Sequence, residues 1–316
     1  MFEYYQMFIM LAGFGMALYS CMGNDVIQTL GTFMSSNMKR PRWVIWVYTG
    51  SILVATMTLG YFMGDMAFGR LDMIPEAMVL HWWHLIPPTV LIILTWKGIP
   101  ISTTFLLLSV FAGSAVIGQM VLRSFLGYVI AFSMAVIAYT VVLRRVEKFF
   151  VLTATRRKTP VHWVVLQWSS TAFLWSQWLM QNASNMVVFL PREMPFWKFL
   201  LVVVAMVAGL GLVVMKKGGK IQNIILRKTN TTDMRSATII DFMYGIILFL
   251  FLRYNNIPVS TTFVIIGLLA GREIALHYRI GTNPGKKMWN DIWADLGKVV
   301  FGLLVSFAIV WALANI

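Results

Sequence analysis

Asp25 stands in the run Gly23-Asn24-Asp25-Val26-Ile27-Gln28-Thr29-Leu30-Gly31, an acid beside amides in an otherwise apolar part of the chain. A second run, Gln181-Asn182-Ala183-Ser184-Asn185, is rich in amides and carries no acid. Clustered amide and carboxylate oxygens suit a hard cation such as sodium, whereas amide N–H groups and Thr hydroxyls suit an oxyanion. Two further polar segments are nearly identical: IPISTTF at Ile99 to Phe105 and IPVSTTF at Ile257 to Phe263, 158 residues apart (257 minus 99). In each, proline restrains the entry to a helix, and Ser-Thr-Thr caps the exposed amides of the first turn. A helix N-terminus carries roughly half a positive charge, so two of them inside a membrane would form an anion site.

The spacings bind the four segments into two pairs. Asn24 precedes Ser102 by 78 residues (102 minus 24), and Gln181 precedes Ser260 by 79 (260 minus 181). In this register Asn24, Asp25 and Gln28 pair with Gln181, Asn182 and Asn185, and a carboxylate survives in one copy only. Ala112-Gly113 and Ala270-Gly271 keep the 158-residue spacing, which makes the correspondence a repeat and not one chance heptapeptide. An intramembrane acid is costly and marks function by default. The plainer reading of Asp25 is a helix N-cap or a satisfied polar plug.

The elements that must hold these residues are membrane helices. The chain is 59% hydrophobic and 12% charged, against about 25% charged in ordinary soluble domains. Apolar stretches run at about 5–22, 43–63, 77–96, 103–121, 126–143, 162–180, 197–215, 237–254 and 296–315, and a shorter one, Thr262 to Gly271, completes ten; most approach the roughly 20 residues of a spanning helix. The first has Glu3 in place of a basic n-region and reads as a retained helix. Lone Cys21 cannot form an internal disulfide. The expected fold is all-α and polytopic, with about ten transmembrane helices and broken or re-entrant half-helices. The expected organisation is a first repeat over 1–145, a basic linker at 146–160 and a second repeat over 161–316.

The net charge of +14 sits in loops. Lys39, Arg40 and Arg42; Arg144 to Lys158; Lys216 to Arg235; and Arg279, Lys286 and Lys287 form four basic clusters, with acidic or sparse loops such as Gly64 to Glu76 between them. By the positive-inside rule these clusters are cytoplasmic and both termini are outside, in a plasma (inner) membrane. No soluble basic domain is present to bind nucleic acid. Five crossings per half is an odd number, so the repeats would have inverted topology, a frequent plan of secondary transporters with substrate at the midplane.

The four motifs resemble those of the PiT family of inorganic phosphate transporters, whose inverted repeats each carry a GANDVANA-like signature followed by a PVSTTH-like segment. The resemblance covers residues 15 to 275. GNDVIQTLG matches the first signature with Gln28 in place of Asn; Phe105 and Phe263 stand where histidine is usual; and the second signature is altered at Gln181, Asn182 and Asn185. The resemblance implies substrate contacts from Asn24, Gln181, Asn182, Ser102, Thr103, Thr104, Ser260, Thr261 and Thr262. It implies a coupling cation, sodium or a proton, near Asp25, Gln28, Asn185 and Asp241. The expected activity is symport of inorganic phosphate, with sulfate or another oxyanion as the alternative, and a passive anion channel or a non-transporting sensor as further alternatives. Without clustered acids, HExxH or GxSxG, the chain offers no enzyme set. The expected partners are the oxyanion, the lipid bilayer and, as an option, further copies of the chain in a homo-oligomer.

Other residues admit two readings. His81, Trp82, Trp83 and His84 read as an interfacial aromatic anchor before a metal pair. Lys97 and Arg253 read as snorkelling residues before anion attractors. Arg192 and Glu193 form either an outer gate or a loop ion pair.

Overall fold

The computed structural model describes residues 2–77, 79–99, 101–142, 160–216, 233–254, 256–280 and 286–313. Pro100, the linker up to residue 159, and the basic residues between Lys217 and Lys228 lie outside the described residues. Among the described residues all regular structure is helical. Helix α1 (Phe2–Cys21) passes through a π-helical turn (Met22–Val26) into α2 (Ile27–Ser36). Pro41 precedes α3 (Arg42–Phe62), where its missing N–H costs no bond. A short 3-10 turn (Trp82–Leu85) leads into α4 (Ile86–Lys97), which Gly98 ends in the left-handed conformation, φ 74°, with its N–H on the Leu94 and Thr95 carbonyls.

Helices α5 (Thr103–Leu108) and α6 (Ser114–Ile137) follow, and a π turn (Ala138–Val142) extends α6. The second half comprises α7 (Val161–Val187), α8 (Phe196–Met215), α9 (Met234–Tyr254), α10 (Thr261–Ile280) and α11 (Lys286–Leu313). Among the described residues six helical runs are long and apolar enough to cross a membrane, with Phe2–Ser36 counted as one of 35 residues. Large apolar side chains such as Val54, Leu122, Phe125, Leu201 and Val204 are exposed on their outer faces, as a lipid boundary requires. The structure is therefore that of an integral membrane protein.

Three of the expected stretches resolve differently. Of 77–96, the α-helix takes up only Ile86 onward, in a helix of twelve residues behind the 3-10 turn. Residues 103–121 and 126–143 do not form separate spans: α5 stops after six residues, Ser109 to Gly113 turns, and α6 takes up the rest as one helix of 24 residues. Gly113 stands in an extended conformation just before α6. The apolarity is continuous across this break, so hydropathy alone places the boundary wrongly.

Helix α9 packs along α7, and α10 packs along α6. The α6–α10 contact is a backbone approach through Gly267 and Gly271. A Cβ at Gly267 would stand 2.4 Å from the Tyr128 carbonyl oxygen, and one at Gly271 would stand 2.3 Å from that of Phe132. Small residues four apart allow such closeness between membrane helices. Gly267→Ala and Gly271→Ala are each expected to destabilise the detergent-solubilised protein by about 1–3 kcal/mol through overpacking. Gly118→Ala, where a Cβ meets nothing within 4 Å, should leave the melting temperature unchanged in the same measurement.

Candidate functional site

The four polar segments meet in the interior. Asn24, Asp25, Gln28, Ser102, Thr103, Thr104, Gln181, Asn182, Asn185, Ser260, Thr261 and Thr262 are all buried, none more than 6% exposed. Asp25 lies in the π turn, an element one residue wider than an α turn and frequent at functional sites. One carboxylate oxygen accepts the Asn24 amide at 2.8 Å and the other accepts the Thr103 hydroxyl. Asn185 of α7 donates to Thr103 Oγ1 at 3.0 Å, to Thr104 Oγ1 at 3.1 Å and to Asn182 Oδ1 at 3.2 Å. One hydroxyl, Thr103, thus joins the acid of the first half to an amide of the second.

The register read from the sequence reappears bond by bond. Asn24 Nδ2 donates to the Ile101 carbonyl at 2.6 Å, and its counterpart Gln181 Nε2 donates to the Val259 carbonyl at 3.4 Å. Thr103 donates to Asp25, and its counterpart Thr261 donates to Asn182 Oδ1 at 3.4 Å. The Thr261 contact is the weaker of its pair because a neutral amide replaces the carboxylate, and charge-assisted bonds are shorter and stronger. The halves also cross-link: Thr262 donates to the Ile101 carbonyl at 3.3 Å, and the Phe105 and Phe263 rings meet edge to face at 5.8 Å.

The Ser-Thr-Thr segments are not equal as caps. Ser102 Oγ accepts the Phe105 N–H at 3.3 Å, as an N-cap should. Ser260 makes no such cap among the described residues; its own N–H donates to Ser124 Oγ at 2.9 Å, and its hydroxyl is buried with no partner among them. Gln181 Oε1, Asn185 Oδ1 and Ser184 Oγ are also buried and have no partner among the described residues. Buried polar atoms are rarely left so, and oxygens in this number fit an ion or a polar ligand. Ser184 stands in the amide-rich motif with no sequence feature that gives it a role, and the carbonyls of Ile101 and Val259 carry no side-chain signal. Their signal is positional: each carbonyl immediately precedes the serine of a repeated segment.

Asp241 of α9 is not brought into this cluster. It is buried, with one oxygen accepting Thr32 of α2 and the other accepting Thr171 of α7 at 2.7 Å. Thr32 lies seven residues beyond Asp25, about 10 Å along a helix at 1.5 Å per residue. Gln28 joins the central group through Asn24 Oδ1, at 3.1 Å.

The peripheral residues divide. Lys97 and Arg253 are exposed, which suits snorkelling and not contact with the cluster. His81 stacks on Trp83 at 4.0 Å, and His84 Nδ1 accepts the His81 N–H at 3.0 Å. Among the described residues no three metal-ligating side chains gather. Arg192 Nη2 donates to the Ile74 carbonyl at 3.1 Å, and its N–H donates to Glu76 Oε1 at 3.2 Å. Arg70 Nη2 donates to Leu252 O at 3.0 Å, at the C-terminal end of α9, and burial pushes its guanidinium down to about 10 against the pull of Asp72 and Asp65. The loop between α3 and α4 therefore fastens onto both the α7–α8 connection and the end of α9.

No family model matches the chain, and no curated protein matches it. Among solved structures, "The sodium-dependent phosphate transporter" is similar, with a TM-score of 0.60 and 17% sequence identity, over 98% of this chain and 99% of that one. The resemblance carried by the four motifs is thus matched by a likeness in three dimensions. With the two chains superposing end to end, this protein shares the fold of the sodium-dependent phosphate transporter.

Proposed function

We propose that the chain is a secondary active transporter of inorganic phosphate, coupled to sodium or protons, that works by alternating access around the buried cluster. The observation that carries this reading is the convergence of all four repeated polar segments on the Asp25–Thr103–Asn185 contact. The equivalent bonding of the two halves supports a pair of inverted repeats. The fold shared with a phosphate transporter supports the substrate class.

The hydroxyls of Thr103, Thr104, Thr261 and Thr262 are donors for an oxyanion, with Asn24, Gln181, Asn182, Ser102 and Ser260 around them. Helix α5 has only six residues, so its dipole contributes less than that of α10, with twenty. Asp25, with Gln28 and Asn185 oxygens nearby, holds the coupling cation, and that cation offsets the anion's charge; Asp241 is a separate cation station. Sulfate is the second reading, favoured by Asn182 standing where the first half has an acid. Both termini outside and the basic loops inside the inner membrane complete the proposal.

The test is uptake of radiolabelled phosphate and sulfate into proteoliposomes. A sodium or proton gradient is expected to drive phosphate accumulation at least about tenfold over gradient-free vesicles. Equal flux with the gradients collapsed would make the protein a channel, binding without flux would make it a sensor, and preferential sulfate accumulation would assign the second substrate.

A further inference from the structure

We propose that the coupling cation leaves the Asp25 cluster along one face of α2, toward the basic end of the helices, and that Gln167 is the latch closing that route. The inference rests on the transport reading above. Asp25, Thr29, Thr32 and Ser36 follow one another at intervals of four, three and four residues, which places them on one stripe of the helix. Each is engaged on the way. Thr29 Oγ1 donates to the Asp25 carbonyl at 3.0 Å, Thr32 donates to Asp241 of α9, and Ser36 accepts from Gln167 Nε2 of α7. Gln167 and Thr171, four residues apart on α7, supply the facing wall. Oxygens stepped along a buried helix, with a second acid part-way, form successive stations for a hard cation.

The stripe ends in a plug. Gln167 is fully buried and bridges two residues of the first half, donating to Ser36 and accepting Asn37 Nδ2 at 2.9 Å. Asn37 Oδ1 in turn accepts Arg40 Nε at 3.2 Å, and the Arg40 guanidinium lies 5.1 Å from the centre of the Trp168 ring. Phe33, Tyr48 and Trp168 form a mutual aromatic cluster with centroids 4.5 to 5.5 Å apart. The Trp168 indole N–H is buried without an acceptor among the described residues, an unsatisfied donor that fits one of two alternating arrangements better than a permanent seal. The Gln167 bonds are between neutral side chains, so water can replace them when α2 and α7 part.

The chain's one cysteine reports on this gate. Cys21 is fully buried and lies four residues before Asp25, so a membrane-impermeant thiol reagent labels it only when a path to the cluster opens. In oriented vesicles, Gln167→Ala and Ser36→Ala are expected to speed Cys21 labelling from the basic face by about fivefold or more, the weight of a lost hydrogen bond. Labelling from the opposite face should be unchanged. Should Gln167→Ala fail to assemble, Ser36→Ala, which removes one oxygen, decides. Acceleration from both faces, from the opposite face alone, or from neither overturns the proposal. The readout needs no substrate, so failure of the gate is distinguishable from failure of the phosphate assignment.

Discussion

Asp25→Asn is expected to lower gradient-driven phosphate uptake by about a hundredfold or more, with the purified variant still monodisperse. The size follows from what the carboxylate does. It takes the Asn24 amide on one oxygen and the Thr103 hydroxyl on the other, and hydrogen bonds to a charged group are worth about 1.5–3 kcal/mol each. An asparagine keeps one acceptor oxygen and turns an N–H₂ toward a donor already present. It also removes the only charge in the cluster, and with it the attraction for a cation. Sodium binding, read as a sodium-dependent rise in melting temperature, should vanish with transport. If Asp25→Asn carried phosphate at the wild-type rate under a sodium gradient, the cation role assigned to this residue would be wrong.

The second large effect is an asymmetry between two equivalent threonines. Thr103→Val and Thr261→Val are the same change at matched positions, close to isosteric and stripped of the hydroxyl. Thr103 donates to a carboxylate and accepts from Asn185 at 3.0 Å, while Thr261 makes a 3.4 Å contact with a neutral amide. Loss of the charge-assisted bond should cost uptake about tenfold to a hundredfold, and loss of the neutral one about twofold to tenfold. Kinetics of both variants under one sodium gradient provide the check. Equal losses would mean that the two halves contribute alike and that the missing acid at Asn182 is without consequence.

Much of this cluster was legible in the sequence because it is written twice. The 158-residue offset singled out Ser102 to Thr104 and Ser260 to Thr262, and the matched 78- and 79-residue spacings paired Asp25 with Asn182, a pairing that the hydrogen bonds repeat. What stayed hidden is of three kinds. The Ile101 and Val259 acceptors are backbone carbonyls, which any residue type can supply. The short α5 is invisible to hydropathy, since Phe105 to Leu108 is as apolar as a spanning helix. The Gln167 and Thr171 wall has no repeated partner, and its residues are scattered among tryptophans. Arg192 shows a further limit: beside Glu193 in sequence, it reaches Ile74 and Glu76 on a loop more than a hundred residues away.

The π turn at Met22–Val26 has a mechanical meaning. It holds one residue more than an α turn would, so α2 is phased against α1 by about 100°, the rotation of one residue. If that surplus residue passed along the helix or was absorbed, α2 would screw about its own axis. Asp25 would swing off Thr103 and Thr32 off Asp241 in the same movement, because Asp25 lies in the turn that rewinds and Thr32 on the α2 segment that the turn rotates. The hydrogen bonds of the two acids are therefore geared together, and a single slip in the winding of one helix is enough to break a contact at each.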